Sequence, residues 1–247
     1  MDIWLYYDVT HRLHTYCNPI SVETVRELEE VLGLSSGDRV LDIACGMGEL
    51  LVSLAERSGT SGVGVDISPY VIQRAEERKA KRVPDADLRF VLQDGKDYQP
   101  DPGEQFDVVV LIGASWIWNG YRGTLEALRE LVKPGGLVVI GEPHFDEEPP
   151  AGYLEADGME PDQFGTMHGN LEEALRQGLE LVWMRGCSEQ DWDRYEMLQA
   201  ASVDRFTREQ PEHPDLAEIR SRHEQARNIY FRWGRRYMGF AIWVFRG

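Results

Sequence analysis

The residues best placed to do chemistry in this sequence are two carboxylates around one glycine turn. Asp42 lies in an apolar run that leads into the small-residue turn at 44–48, and Asp66 ends the next apolar run. In dinucleotide-type folds an acid about 20 residues past such a turn accepts hydrogen bonds from ribose hydroxyls. Asp66 stands close to that distance beyond Gly48, so the pair predicts a site for a ligand that carries a nucleoside.

The turn itself predicts close contact between backbone and ligand. Gly46 and Gly48 allow a sharp bend and let a ligand approach with no Cβ in the way. The predicted helix that follows points its free N–H groups at whatever lies over the turn.

The spelling of the turn differs from the dehydrogenase fingerprint G-x-G-x-x-G, because it reads Asp42-x-Ala44-x-Gly46-x-Gly48. It resembles motif I of the class I S-adenosylmethionine-dependent methyltransferases, acid-x-Gly-x-Gly-x-Gly. Ala44 replaces the first glycine, and we expect this small-for-small change to leave the turn intact. The methyl donor of that family carries an ammonium and a sulfonium but no phosphate, so a carboxylate suits it where a pyrophosphate would be repelled.

The resemblance covers residues 22 to about 144 motif by motif and the rest in layout only. Asp94-Gly95 resembles the position whose carboxylate accepts from the adenine amine, and Lys133-Pro134-Gly135-Gly136 resembles the family's turn before a strand. The group implied is the small-molecule type, similar to the ubiquinone and menaquinone biosynthesis methyltransferases, with S-adenosyl-L-methionine as cofactor. The residues implied at the cofactor are Asp42, Ala44, Cys45, Gly46, Gly48, Asp66, Ile67, Asp94, Gly95 and Ile112.

The elements that must position these groups alternate between strand and helix. Apolar runs that fit buried strands are followed by amphipathic stretches, the first of which spans 22–32 after the N-cap candidate Ser21. The pattern predicts an α/β, Rossmann-like fold with a seven-stranded, mostly parallel sheet and helices on both faces. The resemblance adds an antiparallel last strand.

We expect residues 1–247 to form a single domain. Within it, 145–169 lacks periodicity and is predicted to be a loop, and 187–235 is predicted to be a helical insertion that bears on specificity or a dimer surface. Residues 1–20 are aromatic and are predicted to be a lid over the site. Two alternatives remain for them: an ordinary helix packed on the core, or a metal pair of His11 and His14, which lacks a third ligand.

The methyl acceptor is predicted to meet the cofactor at the loop after the fourth strand, because ligands bind at the carboxyl ends of strands in such sheets. Trp116 and Trp118 in this loop suit a flat or cationic acceptor, and Tyr16 and His14 of the lid are assigned to the same pocket. The alternative is that the two tryptophans only pack against the next helix.

Glu142 and His144 end the fifth strand at the same edge and are predicted to be catalytic. Together they could remove a proton from an acceptor. Glu142 could instead pair with a cationic group of the substrate, or it could hold a neighbouring loop. No metal site is expected.

Composition limits the partners. The formal net charge is −17, which disfavours nucleic acid and anionic membranes, and the one dense basic stretch is Arg232-Trp233-Gly234-Arg235-Arg236. No apolar run approaches the ~20 residues of a membrane span, and the N-terminus does not resemble a signal peptide. Three widely spaced cysteines favour a reducing compartment, so a cytoplasmic location is expected; the oligomeric state stays open.

Three rivals remain. A non-catalytic S-adenosylmethionine-binding protein would keep the cofactor motifs and lack an acceptor pocket. A nicotinamide dehydrogenase would need the absent third glycine and a catalytic Tyr-Lys or His pair. A thiol-dependent arsenic methyltransferase would use several cysteines, but Cys45 lies in the cofactor turn, which leaves only Cys17 and Cys187.

Overall fold

The protein is described by a computed structural model that covers residues 1–247. Seven strands form one sheet: β1 (Arg39–Ile43), β2 (Ser61–Asp66), β3 (Leu88–Leu92), β4 (Phe106–Ile112), β5 (Val132–Phe145), β6 (Glu180–Gly186) and β7 (Met238–Arg246). Their order is β3-β2-β1-β4-β5-β7-β6, and only β7 runs antiparallel to its neighbours. The predicted seven-stranded, mostly parallel sheet with an antiparallel last strand is confirmed.

Helices cover both faces, as predicted. They are α1 (Ile3–His11), α2 (Val22–Leu32), α3 (Glu49–Ser58), α4 (Pro69–Arg82), α5 (Tyr121–Leu131), α6 (Ala151–Asp157), α7 (Met167–Arg176), α8 (Glu189–Glu209), α9 (Leu216–Ile229) and α10 (Arg235–Tyr237). One core cluster joins α2, α3 and α4 to the sheet, and the other joins α5 and α7 to the opposite face. No helix has the length and apolarity needed to cross a membrane.

Local sequence explains where the first elements begin and end. The Ser21 hydroxyl accepts from the backbone N–H of Thr24 at 3.0 Å, which caps α2, and Gly33 ends the helix with a left-handed φ of 58°. Pro69 occupies the first position of α4, where the missing N–H costs nothing.

The prediction of a continuous loop at 145–169 is wrong, because α6 forms inside it and α7 begins before it ends. The helix α6 has 7 residues and ends at Gly158, whose φ is 68°. A helix of about two helical turns is too short to produce a recognisable helical period in the sequence. Buried Tyr153 attaches α6 to the rest of the molecule by stacking on Trp233 at 5.9 Å between ring centroids.

Two long helices occupy most of residues 187–235. The first, α8, begins with a capping box between Ser188 and Asp191. A π-helical turn at Tyr230–Gly234 connects α9 to α10. Together with α1, the helices α8 and α9 bury a third cluster of Tyr6, Val9, Val203, Phe206 and Ile219. The N-terminal helix is therefore packed on the insertion and not on the sheet.

Candidate functional site

The carboxylate of Asp66 fixes the glycine turn that follows β1. Its Oδ2 accepts from the backbone N–H of Gly46 at 3.0 Å, and its Oδ1 accepts from the N–H of Ser68 at 2.9 Å. The turn and the end of β2 are thereby tied into one unit, which we call the cradle (residues 42–49 and 66–68). Each carboxylate oxygen of Asp66 keeps a further lone pair for a ligand.

The cradle turn needs three residues with positive φ. Gly46 and Gly48 have φ values of 53° and 69°, as their lack of a Cβ allows, but Ala44 is also left-handed at 58°. Ala44 therefore adopts the same left-handed backbone conformation as the two glycines, and the turn is intact as expected. A left-handed alanine costs on the order of 1 kcal/mol, so the substitution stores strain in the turn.

The two glycines differ in what surrounds them. A Cβ on Gly48 would lie 2.8 Å from both Ala75 and Phe90, so this glycine is required by packing beneath the cradle. A Cβ on Gly46 would meet only Cys17, at 3.6 Å from its Sγ, so Gly46 faces the space above the turn. Of the two glycines, only Gly46 is therefore placed where a ligand would approach the backbone.

Asp42 supplies a buried carboxyl group beside that space. It is 5% exposed and accepts no hydrogen bond within the chain, and burial, together with the nearby Asp66, raises its pKa to about 8. A buried carboxylate without a partner is costly unless it is neutralised. The site is therefore suited to a ligand that brings positive charge, as the ammonium and sulfonium of S-adenosylmethionine do.

Residues Thr15–Asn18 lie over the cradle, and we call this segment the strap. Strap residues line a cavity of about 50 Å³ with Asp42, Ala44, Cys45, Gly46 and Ile112. The Asn18 side-chain amide donates to the backbone carbonyl of Ile112 at 3.2 Å. Small-molecule sites usually measure ~300–1,000 Å³, so a nucleoside-sized ligand requires the strap to move.

The remaining predicted cofactor residues stand at the ends of β2 and β3. The Asp94 carboxylate accepts from the backbone N–H of Lys96 at 2.9 Å, and it heads a short 3₁₀ turn. Gly95 is buried, and a Cβ on it would lie 2.5 Å from Ile43. The side chain of Ile67 is 43% exposed. The structure brings all the predicted cofactor positions to one edge of the sheet.

Glu142 and His144 reach that edge on the other face. Asp42 pairs with Val110, which belongs to the core cluster on the α2–α4 face of the sheet. Glu142 follows Ile140 by two residues on β5, so it lies on the same face as Ile140, which belongs to the cluster under α5 and α7. The structure therefore does not bring the two predicted catalytic side chains together with Asp42. Proton removal by this pair stays a prediction without support from the geometry.

The contacts of Glu142 favour the alternative in which it holds a loop. Its Oε1 accepts from the hydroxyl of Ser115, and its Oε2 has no partner. Ser115 begins the 3₁₀ turn Ser115–Trp118 after β4, which we call the aromatic loop. Burial raises the pKa of Glu142 to about 7. His144 is 3% exposed, and its Nε2 lies 3.2 Å from Asp146 Oδ1, so the imidazole packs at the end of β5.

The predicted acceptor residues separate into different environments. Trp116 is 70% exposed at the sheet edge, whereas Trp118 packs against the core on the α5 side, as its alternative role required. Tyr16 lines the strap cavity. His14 is buried and donates from Nε2 to the backbone carbonyl of Tyr195 at 2.9 Å, so its ring anchors the N-terminal segment to α8.

Sequence reasoning missed Tyr195, which links the N-terminal segment to α8. Its hydroxyl lies 2.9 Å from His11 Nε2, so hydrogen bonds to this one residue occupy both histidines of the proposed metal pair. It also missed Asn18. Neither contact leaves a local pattern, because both connect distant segments.

Comparison with known proteins gives three findings. A model of a methyltransferase domain matches residues 40–136. The Escherichia coli protein YjhP, described as uncharacterized, is 29% identical over 99% of this chain and 98% of its own length. A Geobacter sulfurreducens S-adenosylmethionine-dependent methyltransferase, solved in complex with S-adenosyl-L-homocysteine, superposes with a TM-score of 0.91 at 28% identity, covering 98% of this chain and 97% of that one.

A partial relative comes from Tropheryma whipplei. Its demethylmenaquinone methyltransferase is 31% identical over 46% of this chain and 45% of its own length. The chain thus spans about half of that relative, but it matches the two bacterial proteins above from end to end.

The left-handed alanine gives a stability test. Replacing Ala44 with glycine removes the steric cost of its positive φ, so Ala44→Gly should raise the free energy of unfolding by about 1 kcal/mol in urea denaturation. Exposed Ala80 lies inside α4, and Ala80→Gly should lower stability by ~0.5–1 kcal/mol. Losses of equal size in both variants would contradict the strain at position 44.

The buried carboxyl of Glu142 gives a pH test. Because its folded-state pKa is raised from the ordinary 4.5 to about 7, its contribution to stability is present below pH 4.5 and is lost as pH rises through 7. Glu142→Gln should therefore gain ~1–3 kcal/mol relative to the parent at pH 8.5 and little at pH 5.

Denaturant unfolding at the two pH values measures this difference. The matched control is Glu130→Gln on the exposed surface of α5, which should show no pH-dependent gain. A difference for Glu142→Gln that does not change with pH would refute the assignment.

Proposed function

Because the chain is a class I S-adenosylmethionine-dependent methyltransferase, we propose that it methylates a small-molecule acceptor bound at the carboxyl edge of the sheet. The cofactor supplies an electrophilic methyl group on a sulfonium. The observation that carries the acceptor proposal is a cavity of about 540 Å³ at the carboxyl edge of the sheet, bounded by the start of α8, the π-helical turn and the start of β7. This volume falls within the range of small-molecule sites.

The size of the site and the charge of the chain support a small acceptor. The partial relative named above acts, by its name, on demethylmenaquinone. The net charge of −17 opposes binding to nucleic acid or to anionic membranes. A compact acceptor fits both observations better than a polymer does.

The cradle residues divide the work of holding the donor. Asp66 is proposed to accept from the ribose hydroxyls with the lone pairs that its backbone contacts leave free, and Asp94 from the adenine amine. Asp42 is proposed to compensate the donor's positive charge, since nothing in the chain neutralises it. Gly46 leaves room for the ligand above the turn.

Methyl transfer then depends mainly on alignment. Holding acceptor and donor in line converts a bimolecular displacement into an intramolecular one, and a base is needed only if the acceptor must lose a proton. Glu142 and His144 face away from Asp42, so the proposed mechanism assigns them support of the aromatic loop and of β5.

The strap is proposed to act as the lid over the donor. It closes the cradle through Asn18, and the helix α1 that precedes it is anchored on α8 through His11 and His14. Closure would exclude water from the reacting centre. The anchor on α8 would couple the lid to the insertion that borders the acceptor cavity.

We further propose that residues 1–247 work as one domain in the cytoplasm. All three cysteines are free thiols, which suits a reducing compartment. Fractionation of cells that express the tagged chain tests the location, and its recovery in a secreted or membrane fraction would contradict it.

The role of Asp66 is tested by calorimetry with S-adenosylhomocysteine. Asp66→Asn retains one carbonyl oxygen for the backbone clamp but loses the charge and an acceptor, so the affinity should fall roughly tenfold or more. Exposed Asp85→Asn should bind as the parent does. NAD titrated in parallel should give no heat of binding, and unchanged affinity in a folded Asp66→Asn protein would remove the assignment.

The lid is tested without an acceptor. Asn18→Ala removes the hydrogen bond to Ile112 and should increase the rate of maleimide labelling at Cys17 in the free protein about fivefold, with a similar rise in the dissociation rate of S-adenosylhomocysteine. Peptide mass spectrometry reads the labelling, with Cys187 as the internal reference.

The control is Asn228→Ala on the exposed face of α9, which should change neither rate. If Asn18→Ala labels at the parental rate, the strap does not open through this contact.

A further inference from the structure

The wall of the 540 Å³ cavity contains the one dense basic stretch of an acidic chain. Arg232, Arg235 and Arg236 all line the cavity of about 540 Å³. The π-helical turn and α10 place their guanidinium groups around one concave site. A ligand in this site would meet whichever of these arginines has no carboxylate partner.

Two of the three arginines are already neutralised. Arg235 pairs with Glu189 at 2.8 Å and with Asp193 at 2.9 Å, and Arg236 pairs with Glu147 at 2.9 Å. The other acid on the wall, Asp146, lies 3.2 Å from the imidazole of His144, but burial lowers the pKa of His144, so this contact does not give Asp146 a cationic partner. Arg232 has no carboxylate partner, so it is the wall cation that remains available to a ligand.

Aromatic side chains surround Arg232. Its guanidinium lies 4.2 Å from the ring centroid of Trp233, and the neighbouring Phe231 on the wall is 57% exposed. The stack on Trp233 orients the guanidinium without neutralising it. A planar ligand body finds apolar contact here next to a free cation.

The wall also holds an unsatisfied donor. The indole Nε1 of Trp192 is buried and has no hydrogen-bond partner in the chain. A buried donor without an acceptor costs about 1–3 kcal/mol, and because Nε1 is sealed from solvent, a ligand oxygen would offset this cost by drawing the indole toward the cavity. The guanidinium and the indole are both donors, so they favour a ligand with acceptor oxygens.

The cavity lies at the same edge of the sheet as the cradle. It opens at Met238, where β7 pairs with the end of β5, and β5 adjoins β4, which ends at Ile112 beside the strap. Met238 pairs with Phe145, whereas Ile112 pairs with Gly141, four residues earlier on β5. Two strand spacings of ~4.8 Å and four residues of ~3.3 Å along the strand put about 16 Å between Met238 and Ile112. A donor that extends from the cradle and an acceptor held by its acid at Arg232 would meet between these strand ends.

We propose that this cavity takes acceptors that are small aromatic carboxylates, and that Arg232 receives the carboxylate while the surrounding rings hold the planar body. The inference rests on the proposed function and adds the chemical class of the acceptor. Carboxylate and guanidinium match in geometry and charge, which a neutral or cationic acceptor would not exploit.

The test uses binding of matched probes to the full chain in saturating S-adenosylhomocysteine. 2-Naphthoate, 2-naphthalenemethanol and 2-naphthylmethylamine share one ring system and differ in charge, and quenching of tryptophan fluorescence reports their affinities. The acid should bind at least tenfold tighter than the alcohol, and the amine should bind weakest. Equal affinities, or no naphthoate binding at millimolar concentration, would overturn the proposal.

Variants locate the effect. Arg232→Glu should remove the preference for the acid and leave the affinity for the alcohol within twofold, while Arg232→Lys should keep part of the preference. Arg220→Glu on the exposed surface of α9 makes the same charge change elsewhere and should behave as the parent. A preference that survives Arg232→Glu would refute the role of this residue.

S-Adenosylhomocysteine affinity, measured on every variant, distinguishes a failure of the proposed acceptor class from a failure of the proposed function. Intact cofactor binding with no preference for the acid contradicts only the acceptor class. Loss of cofactor binding by the parent itself would contradict the proposed function. A panel of hydroxybenzoates and their neutral alcohols, followed by release of S-adenosylhomocysteine, then extends the same comparison to turnover.

Discussion

The hydrogen bond from the Gly46 backbone to the Asp66 carboxylate is the interaction on which the rest of the site depends. It joins the turn after β1 to the end of β2, and the same carboxylate also holds the backbone of Ser68. With both segments fixed, Gly46 faces the ligand space and Asp42 is left buried beside it. The cradle is thus held in shape by its own hydrogen bonds, and the buried, unpaired carboxyl of Asp42 favours a ligand that carries positive charge.

The cradle could be predicted from the sequence because its parts are local. An apolar run, a turn that requires small residues and an acid at a set distance are all readable from residue types. The fold followed for the same reason, since buried parallel strands appear as continuous apolar runs. Ala44 departs from the glycine pattern, yet its backbone still adopts the left-handed conformation that the pattern requires.

The acceptor side was less predictable because it depends on alternation and on distant contacts. Glu142 lies at the expected end of β5, but its face follows from the register against β4 and β7, which the sequence does not state. The strap reaches Ile112 through Asn18, and His14 reaches Tyr195, across gaps that leave no periodic trace. Arg232, Arg235 and Arg236 line a cavity together with residues of α8, and this packing between separate segments cannot be predicted from the local sequence.

The central claim is that the donor's positive charge stabilises the ionised form of a carboxyl that the fold leaves buried and unpaired. Burial and Asp66 raise the pKa of Asp42 to about 8, so this group is mostly protonated at pH 7 and must ionise when a cation binds beside it. Calorimetric titration of S-adenosylmethionine at pH 7 in phosphate and in Tris, whose ionisation heats differ, measures the protons exchanged. The account predicts release of close to one proton per donor bound; equal binding heats in the two buffers would contradict it.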